Sequence, residues 1–254
     1  MTYLFSRASL GILAGFLERR VLLAFDFDGT LAPIVSNPDG ARMRGTTRRL
    51  LGRLCDLYPC AVISGRRRAD VMARLDGLAI RHVIGNHGVE AARSSIAPPF
   101  DVARTTRILE AALRHVAGLQ VEDKTHSLAI HYRRATDRGR ARREIERVLG
   151  SLPPALRILR GNLVYDLLAP DAPHKGDALA RLRREADVDT AIYVGDDVTD
   201  EDVFRLPHDE RLLPVRVGQT RASAARYFVR DQSELDSLLA YALRARTPGR
   251  RQTP

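Results

Sequence analysis

The fold follows from one run of residues, Val21-Leu22-Leu23-Ala24-Phe25-Asp26-Phe27-Asp28-Gly29-Thr30. Its first five residues are all apolar, which indicates a strand that is buried on both faces. Asp26 and Asp28 follow at a spacing of two, so extended backbone points both carboxylates to the same side, and Gly29 allows a sharp turn. Two acids at the end of a buried strand are costly unless a cation or hydrogen bonds offset their charge. The run predicts an acidic functional site, with a plain Asp-Gly turn as the alternative.

Similar apolar runs recur along the chain, and each is followed by polar or glycine residues. Helical segments lie between them, which predicts a parallel sheet covered by helices on both faces. The fold class is therefore α/β, with a Rossmann-like parallel sheet as its core. Ligands of such sheets bind beyond the carboxyl ends of the strands, where these acids and glycines lie. The further runs span 61–63, 82–84, 191–194, 213–217 and 227–229.

The middle of the chain has a different pattern, in which each helical segment is followed by two alternating strands. This αββαββ order predicts a small inserted α+β cap domain whose sheet has one covered face. The segments are a helix over 102–116, strands over 119–124 and 127–133, a helix over 136–149, and strands over 155–159 and 163–168. We predict a core domain of 1–97 and 171–246, a cap of 98–170, and a disordered tail of 247–254 that is rich in Pro, Gly and Arg.

The composition indicates a soluble globular protein, since 44% of the 254 residues are apolar and 28% are charged. No run reaches the 18 or so apolar residues of a membrane span, and the first 20 residues lack a small-residue cleavage site. Cys55 and Cys60 do not have the density of a secreted disulfide framework. We expect a cytoplasmic protein with reduced thiols and no membrane partner. A monomer is compatible with the sequence.

The net charge of +10 raises the possibility of a nucleic-acid partner. The arginines are scattered, however, and the chain has no Trp and no aromatic residues between its basic clusters. A stacking platform for nucleic acid would require such aromatics. We therefore expect no nucleic-acid partner, and we attribute the charge to solvated helix faces and attraction for an anionic substrate.

A second acidic cluster follows the run at 191–194. It reads Gly195-Asp196-Asp197-Val198-Thr199-Asp200-Glu201-Asp202, with five acids in seven residues. A helix N-terminus explains Glu201 and Asp202 equally well, because carboxylates offset the positive end of the helix dipole. Asp196 lies directly at the strand end, and Asp200 could reach a metal-bound water. Because Mg²⁺ takes one or two carboxylates together with phosphate oxygens, the two acidic clusters predict a magnesium site.

Two elements are suited to bind phosphate. Ser64-Gly65-Arg66 follows the run at 61–63 and begins a helix, where a hydroxyl and backbone N–H groups hold an anion. Lys175 starts the next helical segment after the cap, and its ammonium could hold Asp26 and a phosphate oxygen together. Lys124 and Lys175 are the only two lysines among 41 basic residues, which marks positions where a flexible point charge differs from arginine's planar fork. Ser-Gly and Lys-Gly pairs also occur as ordinary N-caps and turns.

In this order and on these elements, the motifs resemble those of the haloacid dehalogenase superfamily of phosphatases, over nearly the whole chain. The resemblance implies that Asp26 attacks phosphorus, forming an aspartyl-phosphate. It implies that Asp28 protonates the leaving oxygen and then deprotonates the hydrolytic water, consistent with general acid–base chemistry. It also implies that Ser64 and Lys175 position the phosphoryl group.

The same resemblance implies that Mg²⁺ is held by Asp26, the main-chain carbonyl of Asp28, and Asp196. With Asp200 as a partner of metal-bound water, these four residues are the expected metal site. The ion and Lys175 would neutralise charge on the transferring group.

Within that superfamily the chain resembles the trehalose-6-phosphate phosphatases, which implies that substrate. The matching segments are Asp28-Gly29-Thr30-Leu31-Ala32-Pro33-Ile34, Ile84-Gly85-Asn86-His87-Gly88-Val89-Glu90, Val121-Glu122-Asp123-Lys124, Ala129-Ile130-His131-Tyr132-Arg133 and Gly195-Asp196-Asp197-Val198-Thr199-Asp200-Glu201. The resemblance implies that Glu122, Lys124 and Asp166 close over the sugar hydroxyls, which both donate and accept hydrogen bonds. The family usually has Glu, then a basic residue and Pro, shortly before the lysine of its Lys-Gly pair. This chain has Asp166-Leu167-Leu168-Ala169-Pro170, without the basic residue and with one extra residue before Lys175.

We therefore expect eight residues to contact substrate. For the cap hairpin the alternative is a solvated polar face, and for His87 it is a turn residue. The expected contacts are Ser64, Gly65, Arg66, His87, Glu122, Lys124, His131 and Asp166.

The leading hypothesis is the Mg²⁺-dependent hydrolysis of trehalose 6-phosphate to trehalose and phosphate, in trehalose biosynthesis. One alternative is a capped phosphatase that acts on another sugar or glycoside phosphate. Another, from a different class, is a non-catalytic sugar-phosphate sensor on the same scaffold. All three have a small sugar phosphate as partner.

Overall fold

The computed structural model of the protein describes residues 1–35, 37–91, 100–152, 156–207 and 210–246. The chain divides into two compact units, which we call the core (Met1–Ala92 with His174–Pro254) and the cap (Arg93–Pro173). The predicted boundary between residues 97 and 98 and the predicted tail of 247–254 lie outside the described residues. The second division follows residue 173, whereas the sequence predicts it after residue 170. The domain limits as a set stay a prediction.

Strands and helices alternate through the core, and helix–strand–strand units make up the cap. The strands are β1 (Thr2–Tyr3), β2 (Val21–Phe25), β3 (Cys60–Ile63), β4 (His82–Ile84), β5 (Gln120–Asp123), β6 (Leu128–His131), β7 (Arg157–Gly161), β8 (Val164–Leu168), β9 (Thr190–Gly195), β10 (Leu212–Val217) and β11 (Tyr227–Val229). The helices are α1 (Arg7–Glu18), α2 (Gly45–Cys55), α3 (Arg68–Arg74), α4 (Val102–Leu113), α5 (Arg138–Leu149), α6 (Lys175–Glu185), α7 (Glu201–Phe204) and α8 (Gln232–Arg246).

The core sheet has seven strands in the order β1-β11-β10-β9-β2-β3-β4, and all of its pairs are parallel. This confirms the predicted Rossmann-like α/β core. From β2 the chain runs outward through β3 and β4, and it later returns to β9 on the other side of β2. The strand order therefore reverses between β2 and β9, and such a switch point opens a crevice at the carboxyl ends of the strands.

Both faces of the sheet are buried, as the all-apolar run at the start of the chain predicts. Leu23 and Phe25 of β2 pack into one apolar cluster with residues of α1, α2 and α8, among them Leu13. Leu22 and Ala24 point the other way and pack into a second cluster with residues of α6 and α7. Because side chains alternate along a strand, a strand between two helical layers must be apolar at every position.

The cap has the predicted αββαββ order and forms a four-stranded antiparallel sheet, β5-β6-β8-β7. Its helices α4 and α5 cover one face, where Leu109 and Ile145 pack with Ile130 and Leu167. The cap sheet therefore presents a second face that these helices do not cover. Across the described residues of both units, none of the helices is both long and apolar enough to traverse a bilayer.

Leu13→Ala and Ile12→Ala form a matched pair on α1. Leu13 is fully buried in the first cluster, whereas Ile12 is 44% exposed. We expect Leu13→Ala to lower the free energy of unfolding by about 2–5 kcal/mol, because it leaves a cavity. We expect Ile12→Ala to change it by about 0.5 kcal/mol or less. Urea denaturation followed by circular dichroism measures both, and equal losses would contradict the packing of α1 on the sheet.

Candidate functional site

Three acids converge where β2 and β9 end at the switch point. Asp26, Asp196 and Asp200 each have a carboxylate oxygen, and these oxygens lie within 4.8 Å of one another. The two strand ends are joined directly, because the Asp26 N–H donates to the Val194 carbonyl at 2.9 Å. Acids separated by some 170 positions in the sequence thus form one cluster, as the parallel sheet predicts.

The loop after β2 requires a glycine at position 29. Gly29 has a φ of +82°, and a Cβ there would overlap the carboxylate of Asp196. The turn is closed by two hydrogen bonds, from Gly29 N–H to the Ala32 carbonyl and from Ala32 N–H to the Phe27 carbonyl, each 2.8 Å long. Gly29 therefore serves two purposes: it turns the chain, and it allows the two acidic loops to approach closely.

Lys175 lies among these acids. Its Nζ is 2.7 Å from Asp200 Oδ1 and 3.2 Å from Asp26 Oδ1, and the side chain is only 1% exposed. Burial by itself would lower the pKa of Lys175, but the carboxylates of Asp200 and Asp26 outweigh burial and raise the pKa above its ordinary value. Lys175 opens α6, which begins with a capping box between His174 and Asp177. Its ammonium is therefore charged and fixed at the site.

Asp200 organises the surroundings of Lys175. Its Oδ1 also accepts from the Tyr193 hydroxyl at 2.7 Å, and its Oδ2 accepts from the backbone N–H groups of Asp196 and Asp197 at 2.8 Å each. The carboxylate thus joins β9, the loop that follows β9, and α6. Tyr193 is not among the site residues predicted from the sequence, although a tyrosine inside an apolar strand signals a hydroxyl that needs a buried partner.

Burial and neighbouring negative charges destabilise the ionised forms of Asp196 and Asp26. Burial raises the pKa of Asp196 to about 7, and the charges of Asp200 and Asp197 add to that effect. Burial also raises the pKa of Asp26 well above its usual value, although Lys175 opposes this shift. An all-carboxylate donor set is what hard divalent cations prefer. The three acids therefore fit a divalent metal ion, which would offset the charge that Lys175 leaves uncompensated.

Ser64 follows β3, the neighbour of β2, and lies in a tight loop. Its Oγ accepts from the Arg66 N–H at 3.2 Å. Gly65 has no room for a side chain, because a Cβ there would overlap the ring of His87. The structure thus brings the predicted residues Ser64, Gly65 and His87 together at one strand end.

The loop that carries His87 is held in a strained backbone conformation. Asn86 and His87 have φ values of 49° and 58°, in the left-handed region that residues other than glycine rarely adopt. His87 N–H donates to the Ser64 carbonyl at 3.0 Å. Glu90, which the sequence analysis does not single out, accepts from Arg68 N–H at 2.6 Å and from the Asn86 side chain at 2.5 Å. The hydrogen bonds of His87 to Ser64 and of Glu90 to Arg68 and Asn86 therefore stabilise this backbone conformation and hold His87 beside Ser64.

Arg66 points toward Asp28. Its Nε lies 2.6 Å from Asp28 Oδ2, and its Nη2 lies 2.8 Å from Asp28 Oδ1. The Asp28 carboxylate is therefore held by an arginine, separately from the carboxylates of Asp26, Asp196 and Asp200. This pairing is not evident in the sequence, where both residues are candidates for separate roles.

The four predicted cap residues share one face of the cap sheet. Glu122, Ala129 and Asp166 lie side by side across three strands, and His131 lies two residues further along β6 on the same face. Lys124 directly follows the end of β5, and its Nζ contacts Asp166 on this face. Residues at the alternate strand positions, such as Ile130 and Tyr165, belong to the apolar cluster that α4 and α5 cover. The polar residues therefore lie on the opposite face of the sheet.

Two side-chain pairs form on that face. Lys124 Nζ lies 2.8 Å from Asp166 Oδ1, with side chains 8% and 5% exposed. His131 Nε2 lies 2.8 Å from Glu122 Oε2, and both of these side chains are more exposed. One pair is therefore buried and the other is half-exposed, on a polar surface built from all four residues.

Two curated proteins show clear similarity to the chain. Trehalose-phosphate phosphatase of Mycolicibacterium paratuberculosis is 38% identical over 219 residues, which cover 78% of this chain and 54% of that protein. Trehalose 6-phosphate phosphatase RA3 of Zea mays is 28% identical over 261 residues, 90% of this chain and 71% of that protein. The chain thus spans about half the length of the mycobacterial relative.

Solved structures share the fold. The C-terminal domain of the C. albicans trehalose-6-phosphate phosphatase matches with a TM-score of 0.81 at 22% identity, over 96% of this chain and 98% of that one. A sugar phosphatase of subclass IIB of the haloacid dehalogenase (HAD) superfamily matches with a TM-score of 0.58 at 17% identity, over 87% of this chain and 99% of that one. At these identities the likeness concerns the fold alone, which is the capped α/β fold predicted above.

A family model described as Trehalose-phosphatase matches residues 24–233. The match runs from β2 to the start of α8 and so includes both acidic clusters, the Ser64 loop, the cap and Lys175. Since this match covers most of the chain, the chain belongs to the trehalose-phosphatase family.

Proposed function

We propose that this protein hydrolyses trehalose 6-phosphate to trehalose and inorganic phosphate. The observation that carries the proposal is the cluster of Asp26, Asp196 and Asp200 around the buried Lys175, at the switch point of a chain that belongs to the trehalose-phosphatase family. A buried ammonium beside buried carboxylates is suited to bind a phosphoryl group and to stabilise charge during its transfer. A role in trehalose biosynthesis and a cytoplasmic location remain predictions.

Asp26 is the proposed nucleophile. Its Oδ1 accepts from the Phe27 N–H at 2.7 Å and contacts Lys175, so Oδ2 is the oxygen that we expect to attack. In the first step a bond forms between this oxygen and phosphorus, the ester P–O bond breaks, and Asp28 gives its proton to the leaving sugar oxygen. In the second step water attacks phosphorus, Asp28 takes a proton from that water, and the Asp26 carboxylate is released.

We propose Mg²⁺ as the divalent ion. Asp26, Asp196 and the main-chain carbonyl of Asp28 would hold it, with Asp200 beside them. When bound, Mg²⁺ supplies charge neutralisation to the phosphoryl oxygens. Lys175 favours the ionised form of Asp26, against the effect of burial on its pKa, and orients its Oδ1. Thr30 orients Asp196 by donating to its Oδ1 at 3.1 Å.

We propose that substrate recognition is divided between the two units. In the core, Ser64, Gly65 and the backbone of Arg66 would hold the phosphoryl group, with His87 beside it. In the cap, the proposed contacts to sugar hydroxyls come from the shared polar face, namely Glu122, Lys124, His131 and Asp166. Charged groups on such a face form strong hydrogen bonds with hydroxyls. The alternatives are a phosphatase that acts on another sugar phosphate and a sensor that binds a sugar phosphate without turnover. The experiments below distinguish them from the proposed function.

A phosphate-release panel tests the reaction. We expect turnover of trehalose 6-phosphate in Mg²⁺ to exceed that of glucose 6-phosphate and sucrose 6-phosphate by at least about a hundredfold, because each lost hydroxyl contact costs about 1.5–3 kcal/mol when the protein partner is charged. EDTA and Asp26→Asn should each abolish release. Equal rates on all three esters would contradict the substrate, and turnover by Asp26→Asn would contradict the nucleophile.

Thermal unfolding tests the metal site. In EDTA and above pH 7 we expect Asp196→Asn to unfold at a higher temperature than the parent chain. The substitution removes a carboxyl group whose pKa burial has raised to about 7, and ionisation of that group destabilises the fold at this pH. Mg²⁺ at 100 times its dissociation constant should stabilise the parent chain by about 2.7 kcal/mol and Asp196→Asn by far less. Asp202→Asn, in the same acidic stretch, is the control and should respond to Mg²⁺ as the parent does. Equal responses in all three proteins would place the ion elsewhere.

Asp166→Asn tests the cap contacts. The substitution weakens a buried ion pair with Lys124, and we expect it to lower kcat/KM for trehalose 6-phosphate by about 10- to 150-fold, mainly through KM, because a charge-assisted hydrogen bond contributes about 1.5–3 kcal/mol. Hydrolysis of p-nitrophenyl phosphate, which has no sugar, should change less than about threefold on the same basis. Parallel losses on both esters would argue against a role of this residue in sugar recognition.

A further inference from the structure

Arg66 makes a dense set of contacts for a residue beside a phosphate-binding loop. Its Nε and Nη2 bind both carboxylate oxygens of Asp28, at 2.6 and 2.8 Å. Its Nη1 lies 2.8 Å from Asp70 Oδ2, and its Nη2 also donates to the Pro38 carbonyl at 2.8 Å. A guanidinium has five N–H donors, and these contacts use four of them. The side chain is 13% exposed and therefore has little freedom to turn elsewhere.

The guanidinium of Arg66 is held in place by Asp70, which is itself bound by Arg74. Asp70 binds Arg66 on one side and Arg74 on the other, with Arg74 Nη2 2.9 Å from Asp70 Oδ1. Arg74 in turn donates to the Ala41 carbonyl at 2.8 Å. Burial would raise the pKa of Asp70, but its hydrogen bonds to Arg74 and Arg66 outweigh burial and lower the pKa. Asp70 is therefore a charged support that keeps the guanidinium in place.

The guanidinium plane also rests near the Phe27 ring, with Arg66 Cζ 5.8 Å from the ring centroid. Phe27 lies between Asp26 and Asp28 and is fully buried. The guanidinium of Arg66 is thus fixed by its ion pair with Asp70 and by its contact with the buried Phe27 ring. A rigid fork of this kind sets both the direction and the rotation of a carboxylate, which a single ammonium cannot do.

We propose that Arg66 is a positioning residue that orients the carboxylate of Asp28, and that Asp70 orients Arg66. The inference rests on the proposed function, in which Asp28 is the acid and base. Arg66 transfers no proton and stays charged through both steps; it keeps Asp28 within hydrogen-bonding reach of the leaving oxygen and then of the water. A displacement of about 1 Å in such a group costs about a hundredfold in rate.

The nature of the leaving group separates this role from others. A sugar oxygen needs a proton as it leaves, and in the proposed reaction that proton comes from Asp28. 2,4-Dinitrophenolate is a stable anion and leaves without a proton, so phosphorylation of Asp26 by 2,4-dinitrophenyl phosphate does not depend on a well-placed acid. Removal of water's proton in the second step still depends on Asp28. A misplaced Asp28 should therefore slow turnover of a sugar ester and spare the first step with the dinitrophenyl ester.

The test compares Arg66→Lys, which keeps the charge and loses the fork, with the parent chain in Mg²⁺. We expect kcat for trehalose 6-phosphate to fall about a hundredfold with KM within about twofold, because the substrate contacts are retained. In stopped flow, the burst of dinitrophenolate should keep its rate within about threefold and be followed by a slow steady state. Asp70→Asn should show the same pattern with a smaller loss, and it tests the proposal independently if Arg66→Lys does not fold. Arg53→Lys, at an exposed position on α2, is the control and should match the parent.

Three results would overturn the proposal. A burst that slows as much as sugar-ester turnover would show a general structural role. A raised KM for both esters, with kcat retained, would show that Arg66 binds the phosphoryl group directly. An Asp70→Asn variant identical to the parent, together with an unaffected Arg66→Lys, would show that neither residue acts on Asp28. If the parent chain itself releases phosphate from none of the esters, the proposed function fails first, which is a distinct outcome.

Discussion

The ion pairs between the buried Lys175 ammonium and the buried carboxylates of Asp26 and Asp200 hold the site together. Lys175 contacts Asp26 and Asp200, and all three residues are buried. Removal of one partner from such a pair typically costs about 3–5 kcal/mol. Asp200 carries this constraint into the fold, because it also binds Tyr193 of β9 and the loop after that strand. The sheet, the start of α6 and the acidic cluster are therefore fixed together. The charge that remains after this pairing explains why the site suits a cation.

Much of the core site could be predicted from the sequence, because parallel strands end at a common edge. The apolar run that ends in Asp26 and Asp28 identifies a buried strand and the position of its acids at once. Asp196 follows a second such strand, and the pairing of β2 with β9 brings these acids together. Lys175 is identified by the scarcity of lysine in this chain. For the cap, the alternating strands predict a sheet with one covered face, and the structure places the polar residues on the other face.

The contacts between these residues could not be predicted, because they depend on side-chain directions in three dimensions. The sequence gives no reason to pair Arg66 with Asp28 or Lys124 with Asp166, although it singles out all four. It also gives no signal for β1, which has two residues and is held as an edge strand by β11. Glu90 supports the strained backbone at His87 through partners on two different segments. Such roles follow from long-range packing and leave no local pattern.

A crystal structure of the protein grown with MgCl₂ and beryllium fluoride would show whether Asp26 is the nucleophile, because beryllium fluoride bonds to the carboxylate that normally accepts a phosphoryl group. We expect beryllium fluoride on Asp26 Oδ2, the Lys175 ammonium beside it, and a magnesium ion bound by Asp26 and Asp196. Beryllium fluoride on another residue, or a magnesium ion bound away from both of these acids, would rule out the proposed site.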